Sequence, residues 1–151
     1  MNYEGLDIDW FFLDKEKRIC FAASGGGIVP SNYTNGPDDR LTEYFRQLPI
    51  LNSDFLLNKK LETIKNISYK SLLNRMSFDF IQMARRGIYS FDKTILNDQF
   101  NPKYHLVARP KGELVSLDSV PIDIKNKLLK TVLNENVDQI DSFEVANFIE
   151  N

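Results

Sequence analysis

The segments IDWFFL (residues 8–13) and ICFAA (residues 19–23), joined by the charged linker DKEKR (residues 14–18), decide the fold. Both segments are short and rich in aromatic and β-branched residues, which favour strands. The polar linker between them indicates a turn, so the pair predicts a β-hairpin. The first segment carries apolar residues at positions of both parities, so we expect it to lie inside the sheet or under a helix, with Trp10 in the core.

The middle of the chain repeats apolar residues at helical spacing. The long turn-rich segment 24–37, which precedes it, predicts a loop. Three helices are predicted. The first is capped by Asp38, carries Leu41, Tyr44, Phe45 and Leu48 on its apolar face, and is ended by Pro49. The second is capped by Ser53 or Asp54 and carries Leu57, Leu61 and Ile64, and the third is capped by Ser68, carries Leu72, Met76, Phe80 and Met83, and is ended by Arg85–Gly87.

Strand character returns in the second half, and it is followed by further helical spacing. Predicted strands are Ile88–Phe91, Tyr104–Ala108 and Leu114–Val115, followed by a helix with Ser119 as its cap, Pro121 in its first turn, and Ile124, Leu128 and Val132 on its apolar face. The segment 141–150 fits either a helix or an edge strand, and we favour the helix. Two groups of strands flanking helices predict an α+β fold: a largely antiparallel sheet with several helices packed on it, as a single domain over residues 1–151.

Composition excludes several classes of protein. A chain of 151 residues has the length of one domain. It has one Cys and one His, too few for a disulfide framework or a Cys/His zinc site. No apolar run reaches the roughly 18 residues of a membrane-spanning helix, and the first residues lack the basic and apolar pattern of a secretory signal. We therefore expect a cytoplasmic protein.

The run Gly25-Gly26-Gly27 follows a predicted strand, where phosphate-binding loops occur. Its spacing does not fit the dinucleotide motif, because position 30 is Pro, and the chain lacks the Gly-Lys-Ser/Thr of a P-loop. The sequence therefore predicts a structural loop and no cofactor. Three successive glycines leave backbone N–H groups uncovered, which makes the loop a candidate recognition surface.

Few side chains suggest catalysis. His105 has no triad partner near it in sequence, and Cys20 has apolar neighbours, so a Cys20–His105 dyad has little support. The acids Asp7, Asp9 and Asp14 lack the ligand spacing of a cation site and are expected to be solvated. We assign no catalytic and no metal-binding residue. A small enzyme with a cleft near the glycine loop, using His105 or Asp9, remains the alternative.

Charge is distributed unevenly along the chain. Residues 51–133 are net positive, and residues 134–151 contain five acidic side chains and no basic one. The basic tract 59–86 leaves open a nucleic-acid-associated module as a further alternative, although a pI near 5.4 argues against it. The two tracts carry opposite charges, which would allow the acidic tail to fold against the basic middle.

Aromatic residues are abundant, with 11 Phe, 6 Tyr and 1 Trp. Tyr and Arg are the residue types that protein interfaces favour, because each combines a large contact area with a polar group. The residues predicted to form a partner-binding surface are Gly25, Gly26, Gly27, Tyr33, Arg85 and Arg86.

Four segments resemble those of a family of small uncharacterised bacterial proteins: Asp7–Asp14, Phe21–Gly27, Arg86–Asp92 and Tyr104–Pro110. Some such proteins resemble the immunity proteins of polymorphic toxin systems, which bind a toxin domain and block it. The resemblance covers about a fifth of the chain and brings no functional residue with it. It implies a non-enzymatic, protein-binding domain that neutralises a toxin, without cofactor or membrane.

Overall fold

A computed structural model describes residues 6–33, 39–65 and 78–150 of the chain. Its strands are β1 (Asp9–Leu13), β2 (Ile19–Ala23), β3 (Phe55–Leu57), β4 (Tyr89–Lys93), β5 (Lys103–Pro110) and β6 (Ser142–Glu144). Its α-helices are α1 (Asp39–Arg46), α2 (Leu61–Lys65), α3 (Phe78–Arg85) and α4 (Ile122–Leu128), and short 3-10 helices span Leu117–Ser119 and Val145–Asn147. The α+β prediction is confirmed.

The strands form one sheet in the order β1-β2-β4-β5-β3, and β6 pairs with β5 beside β3. The predicted hairpin is confirmed, because β1 and β2 pair antiparallel with Trp10 opposite Ala22. The pairing of β2 with β4 is parallel, and the other pairings are antiparallel. The sheet is thus largely antiparallel, as predicted, with one parallel crossover that carries α1, β3, α2 and α3.

Each face of the sheet has its own apolar core. On one face, Trp10 is fully buried among aromatic side chains of the sheet and of the C-terminal segment, which confirms the prediction for this residue. On the other face, Phe11 stacks on Phe45 of α1 with ring centroids 4.7 Å apart, and α3 and α4 pack beside them. Strand β1 is the outermost strand, but it lies under helix α1, which explains why both of its faces are apolar.

The segment 55–57 corrects the prediction of a helix that begins at Ser53 or Asp54. Leu57, Leu61 and Ile64 have helical spacing, but Phe55–Leu57 pairs with Ala108–Pro110 of β5 as a strand. Asn58 ends that strand: its side chain donates to the carbonyl of Leu106 and accepts from the N–H of Lys60 at the start of α2. Tertiary pairing has overridden local periodicity here.

Three further predictions change in the second half of the chain. Leu114–Val115 is not a strand, and its N–H at Val115 donates to the carbonyl of Gly87. Helix α4 ends at Leu128, and Val132 instead forms a parallel bridge with Leu13. Ser119 belongs to a 3-10 helix capped by Ser116 and is not the cap of α4.

The segment 141–150 is a strand followed by a 3-10 helix, and the favoured helix prediction was wrong. Strand β6 pairs with β5 so that Phe143 lies opposite Tyr104, and the two rings stack with centroids 5.2 Å apart. The predicted caps Asp38 and Ser68, with the apolar positions 72 and 76, lie outside the described residues.

Candidate functional site

The glycine loop uses its own backbone donors. The N–H of Gly25 donates to the carboxylate of Asp7 at 3.0 Å, and the N–H of Gly27 donates to the carbonyl of Ser24 at 2.8 Å. Both N–H groups, which the sequence predicted to be uncovered, are therefore committed within the chain. The loop between Ala23 and Tyr33 is irregular, as predicted.

Lys93 fills the space beneath this loop. Its side chain is fully buried, and its ammonium group donates to the carbonyl of Asn101 at 2.7 Å. A Cβ atom at Gly27 would lie 2.6 Å from Lys93 Nζ, so the absence of a side chain at position 27 allows the lysine to pack there. Burial lowers the pKa of Lys93, because the charged form is partly desolvated, whereas Asp98 opposes the shift. Gly27 therefore has a packing role.

The six residues predicted as a partner-binding surface do not lie together. Tyr33 is 3% exposed and packs on Trp10 with ring centroids 5.7 Å apart. Gly25–Gly27 follow the C-terminal end of β2, whereas Arg85 and Arg86 precede the N-terminal end of β4. Because β2 and β4 run parallel and in register, the glycines and the arginines lie at opposite ends of the sheet.

Asp9 and His105 share one face and one row of the sheet. The row runs from Asp9 through Ala23 and Asp92 to His105. Adjacent strands lie about 4.8 Å apart, so three steps separate the two side chains by about 14 Å. That distance is too long for both groups to act on one reacting atom. The structure does not bring these two candidate catalytic residues together.

Asp9 and His105 each have a partner close to them in the structure. The Arg46 guanidinium donates to the Asp9 carboxylate at 2.7 Å and lies 3.8 Å from Asp79. Burial raises the pKa of Asp9, because it disfavours the carboxylate, and Arg46 opposes that shift. His105 is buried, with Thr94 Oγ1 at 3.0 Å from its Nδ1.

Cys20 lies apart from His105. It is fully buried on the Trp10 face of the sheet, whereas His105 points to the opposite face between Tyr104 and Leu106. Burial raises the pKa of the Cys20 thiol well above its usual value. The two residues therefore form no dyad, and Cys20 is the buried apolar residue that the sequence predicted.

Asp14 is a key residue that sequence reasoning misassigned to solvent. Its buried carboxylate accepts the N–H groups of Glu16, Arg18 and Val137 at 2.7–3.0 Å. The Arg18 guanidinium donates to it at 3.1 Å and to Asn136 at 2.8 Å. Asp14 thus ties the hairpin turn to the C-terminal segment. The only local sequence signal for this role was an Asp at the hairpin turn followed, four residues later, by an Arg.

Tyr89 extends this network into the sheet. Its hydroxyl donates to the carboxylate of Asp138, which also lies 3.6 Å from the Arg18 guanidinium. Burial and the hydrogen bond to Asp138 both raise the pKa of Tyr89. The polar groups of this network join the hairpin turn, the sheet and the C-terminal segment, so we assign the network a structural role.

A concave site lies between the end of α1 and the segment 113–119. This groove has a volume of about 290 Å³. Its apolar lining residues are Tyr44, Leu48, Pro49, Leu51, Leu114 and Val115. Its polar lining residues are Arg86, Ser116 and Ser119. We call it the α1 groove.

Two backbone contacts hold the walls of the α1 groove. The Asn52 side chain donates to the carbonyl of Glu113 and accepts its N–H, both at 2.8 Å. Gly87, at φ +89°, permits the close approach of the same segment, since a Cβ there would lie 2.7 Å from the N atom of Val115. The groove is therefore built by residues distant in sequence.

The rim of the α1 groove is apolar and exposed. Leu51 and Leu114 are 41% and 42% exposed, and the neighbouring Ile50 is 40% exposed. Arg86 adds a guanidinium, held by a 2.9 Å hydrogen bond from its Nε to the carbonyl of Leu48. Burial lowers the pKa of Arg86, and the nearby charges of Arg46 and Arg85 lower it further.

The basic tract 59–86 is described only in part, because residues 66–77 lie outside the described ranges. Lys60 forms an ion pair with Asp141 at 2.8 Å, one contact between the basic middle and the acidic tail. Arg85 donates to the carbonyl of Asn52 at 3.4 Å. In the described part of the tract, Lys60 and Arg85 thus form contacts within the chain.

Within residues 6–33, 39–65 and 78–150, no helix is both long and apolar enough to cross a membrane. In that part of the chain, no group of three His, Cys, Asp or Glu side chains is arranged to hold a metal ion. Comparison with protein-family models, curated proteins and solved structures found no match to this chain.

Proposed function

We propose that this chain is a protein-binding domain and that the α1 groove is its contact surface. The observation that carries the proposal is the exposed apolar rim of Leu51 and Leu114 around a groove whose wall includes Arg86. Apolar anchors with an adjacent arginine are typical of protein interfaces. Water covers this apolar surface in the free chain, and a partner would remove it from water.

The open shape of the groove favours a protein partner over a metabolite. Small-molecule sites usually have volumes of roughly 300–1,000 Å³ and enclose most of the ligand. The α1 groove has about 290 Å³ and lies open at its rim. Such a groove accommodates one or two side chains of a partner, which leaves the remainder of the partner to contact the surrounding surface.

A second depression continues this surface. It is lined by the hairpin-turn residues Glu16–Arg18 on one side and shares the ridge Leu114–Ser116 with the α1 groove. The ridge therefore contributes to both depressions. A partner that covers the ridge would contact both depressions and extend the buried area beyond that of one groove.

The resemblance to immunity proteins supports a narrower form of the proposal, in which the partner is a toxin domain and binding blocks it. Such a function requires a tight complex and no chemistry by the binding protein. It agrees with the separation of Asp9 from His105, which leaves those two candidates without a shared reaction centre.

The test uses the full chain as bait in lysate of the native cell, with Leu51→Asp/Leu114→Asp as the groove variant. The matched control is Ile122→Asp, since Ile122 is an apolar residue of α4 that is 69% exposed and does not line the groove. We expect one protein to be retained by the wild type and the control, and its affinity for the groove variant to fall by about tenfold or more. A partner retained equally by all three chains would contradict the proposed surface.

The toxin form is tested with the partner so identified. Expressed alone in cells, it should arrest growth, and co-expression of the wild-type chain should restore growth. The groove variant should restore growth less well, whereas Ile122→Asp should restore it fully. A partner that is harmless to cells would contradict the toxin form and leave protein binding in place.

A further inference from the structure

Arg85, Arg86 and Arg109 form no ion pair within the described part of the chain, and of these three Arg86 lines the α1 groove. Arg18, Arg40 and Arg46 each form an ion pair with a carboxylate at 2.7–3.1 Å. Within the described part of the chain, no carboxylate lies at ion-pair distance from Arg86. The single hydrogen bond of its side chain to the described residues runs from Nε to the carbonyl of Leu48, which leaves the remaining N–H donors of the guanidinium for a ligand.

The neighbourhood of Arg86 is positively charged. The charge of Arg46 and that of Arg85 act on Arg86, and the Asp79 carboxylate, which opposes them, already lies 3.8 Å from Arg46. A half-buried guanidinium without a counterion gains most from a carboxylate that arrives with partial removal of water. The charge therefore favours an anionic group at this wall.

The apolar residues that line the α1 groove favour an apolar group in the ligand. Leu51 and Leu114 face the same space as Arg86, and Tyr44 adds an aromatic ring. A ligand that satisfies both Arg86 and the apolar lining residues carries an apolar side chain with a carboxylate close to it. In a protein, this chemistry is a Leu, Ile, Met or Phe residue near an Asp or Glu residue.

We propose that the partner segment bound in the α1 groove presents an apolar side chain next to a carboxylate, and that this carboxylate pairs with Arg86. The inference rests on the proposed protein-binding function and names the chemistry of its partner. The planar guanidinium suits a two-pronged contact with a carboxylate, whereas a lysine at this position would offer a single point charge.

The experiment selects a random library of 12-residue peptides, displayed on phage, against the immobilised full chain. Wild type, Arg86→Glu, Leu114→Asp and the control Lys59→Glu are compared, since Lys59 is exposed and does not line the groove. We expect the wild type and Lys59→Glu to enrich peptides with an acidic residue near an apolar one. Arg86→Glu should enrich basic peptides instead, and Leu114→Asp should lose the enrichment.

An enriched acidic peptide is then synthesised with a fluorophore, and its affinity is measured by anisotropy. Changing its acidic residue to the matching amide should weaken binding to the wild type by about tenfold, and binding to Arg86→Met by less than about twofold. Arg86→Met keeps the apolar stem of the side chain, so it replaces Arg86→Glu if that variant does not fold.

The outcomes separate the two proposals. The carboxylate contact would be overturned, with protein binding left intact, by either of two results. In the first, the enriched peptides need Leu114 but have no preference for an acidic residue. In the second, Arg86→Glu and wild type enrich peptides with the same preference for an acidic residue. Identical enrichment on wild type and Leu114→Asp, or no enrichment on the wild type, would overturn both. Binding of simple fatty acid carboxylates as tightly as the peptides would assign the groove to a small amphiphile instead.

Discussion

The ammonium group of Lys93 lies beneath Gly27, so close that a methyl group on Gly27 would come within 2.6 Å of Lys93 Nζ. The lysine is fully buried and donates to the carbonyl of Asn101. The three residues therefore join the glycine loop, the end of β4 and the loop after it. A glycine that looked like a ligand-binding feature in the sequence has a packing role instead.

Gly27→Ala should lower the free energy of unfolding by about 1–3 kcal/mol, because the added methyl group overpacks a filled site. In a Lys93→Ala background the same substitution should cost less than about 0.5 kcal/mol, since the clashing atoms are gone and alanine restricts the unfolded chain. Urea denaturation of the four chains of this cycle measures the coupling. An equal cost in both backgrounds would contradict the contact.

Asp14→Asn should destabilise the protein by about 3 kcal/mol. The change removes the charge that pairs with Arg18 and turns one of the two acceptor oxygens into an NH2 group, so the N–H of either Glu16 or Val137 faces an amide donor. Thermal or urea unfolding measures the loss. Because the network joins the hairpin turn to the segment near residue 137, hydrogen exchange of that segment should also become faster.

The control for Asp14 is Asp123→Asn, which removes an exposed ion pair with Arg40. Exposed pairs contribute little, so this variant should lose far less stability than Asp14→Asn. Similar losses for both substitutions would show that burial of Asp14 has no special effect.

Phe143→Ala should destabilise the protein by about 3–5 kcal/mol, the usual cost of a large buried aromatic residue. Its ring stacks on Tyr104 and lies 5.0–5.3 Å from the rings of Phe12 and Phe91. The matched truncation Ile149→Ala removes a side chain that is 43% exposed, and it should cost less than about 1 kcal/mol. A small effect of Phe143→Ala would mean that β6 does not dock on the sheet.

Local patterns were sufficient for the hairpin and for α1, since the aromatic and β-branched runs, the polar linker and Pro49 all act within a few residues. They failed at β3, because Leu57, Leu61 and Ile64 have helical spacing and only pairing with β5 makes residue 57 part of a strand. They also failed for the C-terminal segment, where stacking of Phe143 on Tyr104 decides the conformation.

The candidate site depends even more on long-range contacts. Arg86 was singled out from the sequence, but Leu51 and Leu114 become neighbours of Arg86 only through the contact between Asn52 and Glu113. The spacing of apolar residues along the chain cannot predict a contact between residues 61 positions apart. The parallel pairing of β2 with β4 was equally hidden, and it separates the glycine loop from the arginines that the sequence grouped with it.

The raised pKa of Asp9 predicts a pH dependence of a definite sign. Burial makes the folded protein hold the Asp9 proton more tightly than the unfolded chain, whose Asp has the ordinary value of 3.8. The folded state therefore binds more protons between pH 3.8 and the raised pKa, and the contribution of Asp9 to stability falls as pH rises through this window.

Asp54→Asn is the control with the opposite sign, because the N–H of Phe55 and the Lys111 ammonium lower the pKa of Asp54. The unfolding free energies of wild type and of each variant are measured by urea titration from pH 3 to 6. We expect the difference between wild type and Asp9→Asn to decline as pH rises. The difference between wild type and Asp54→Asn should instead rise with pH below 3.8. A wild type minus Asp9→Asn difference that rises with pH would mean that the ion pair with Arg46 outweighs burial at Asp9.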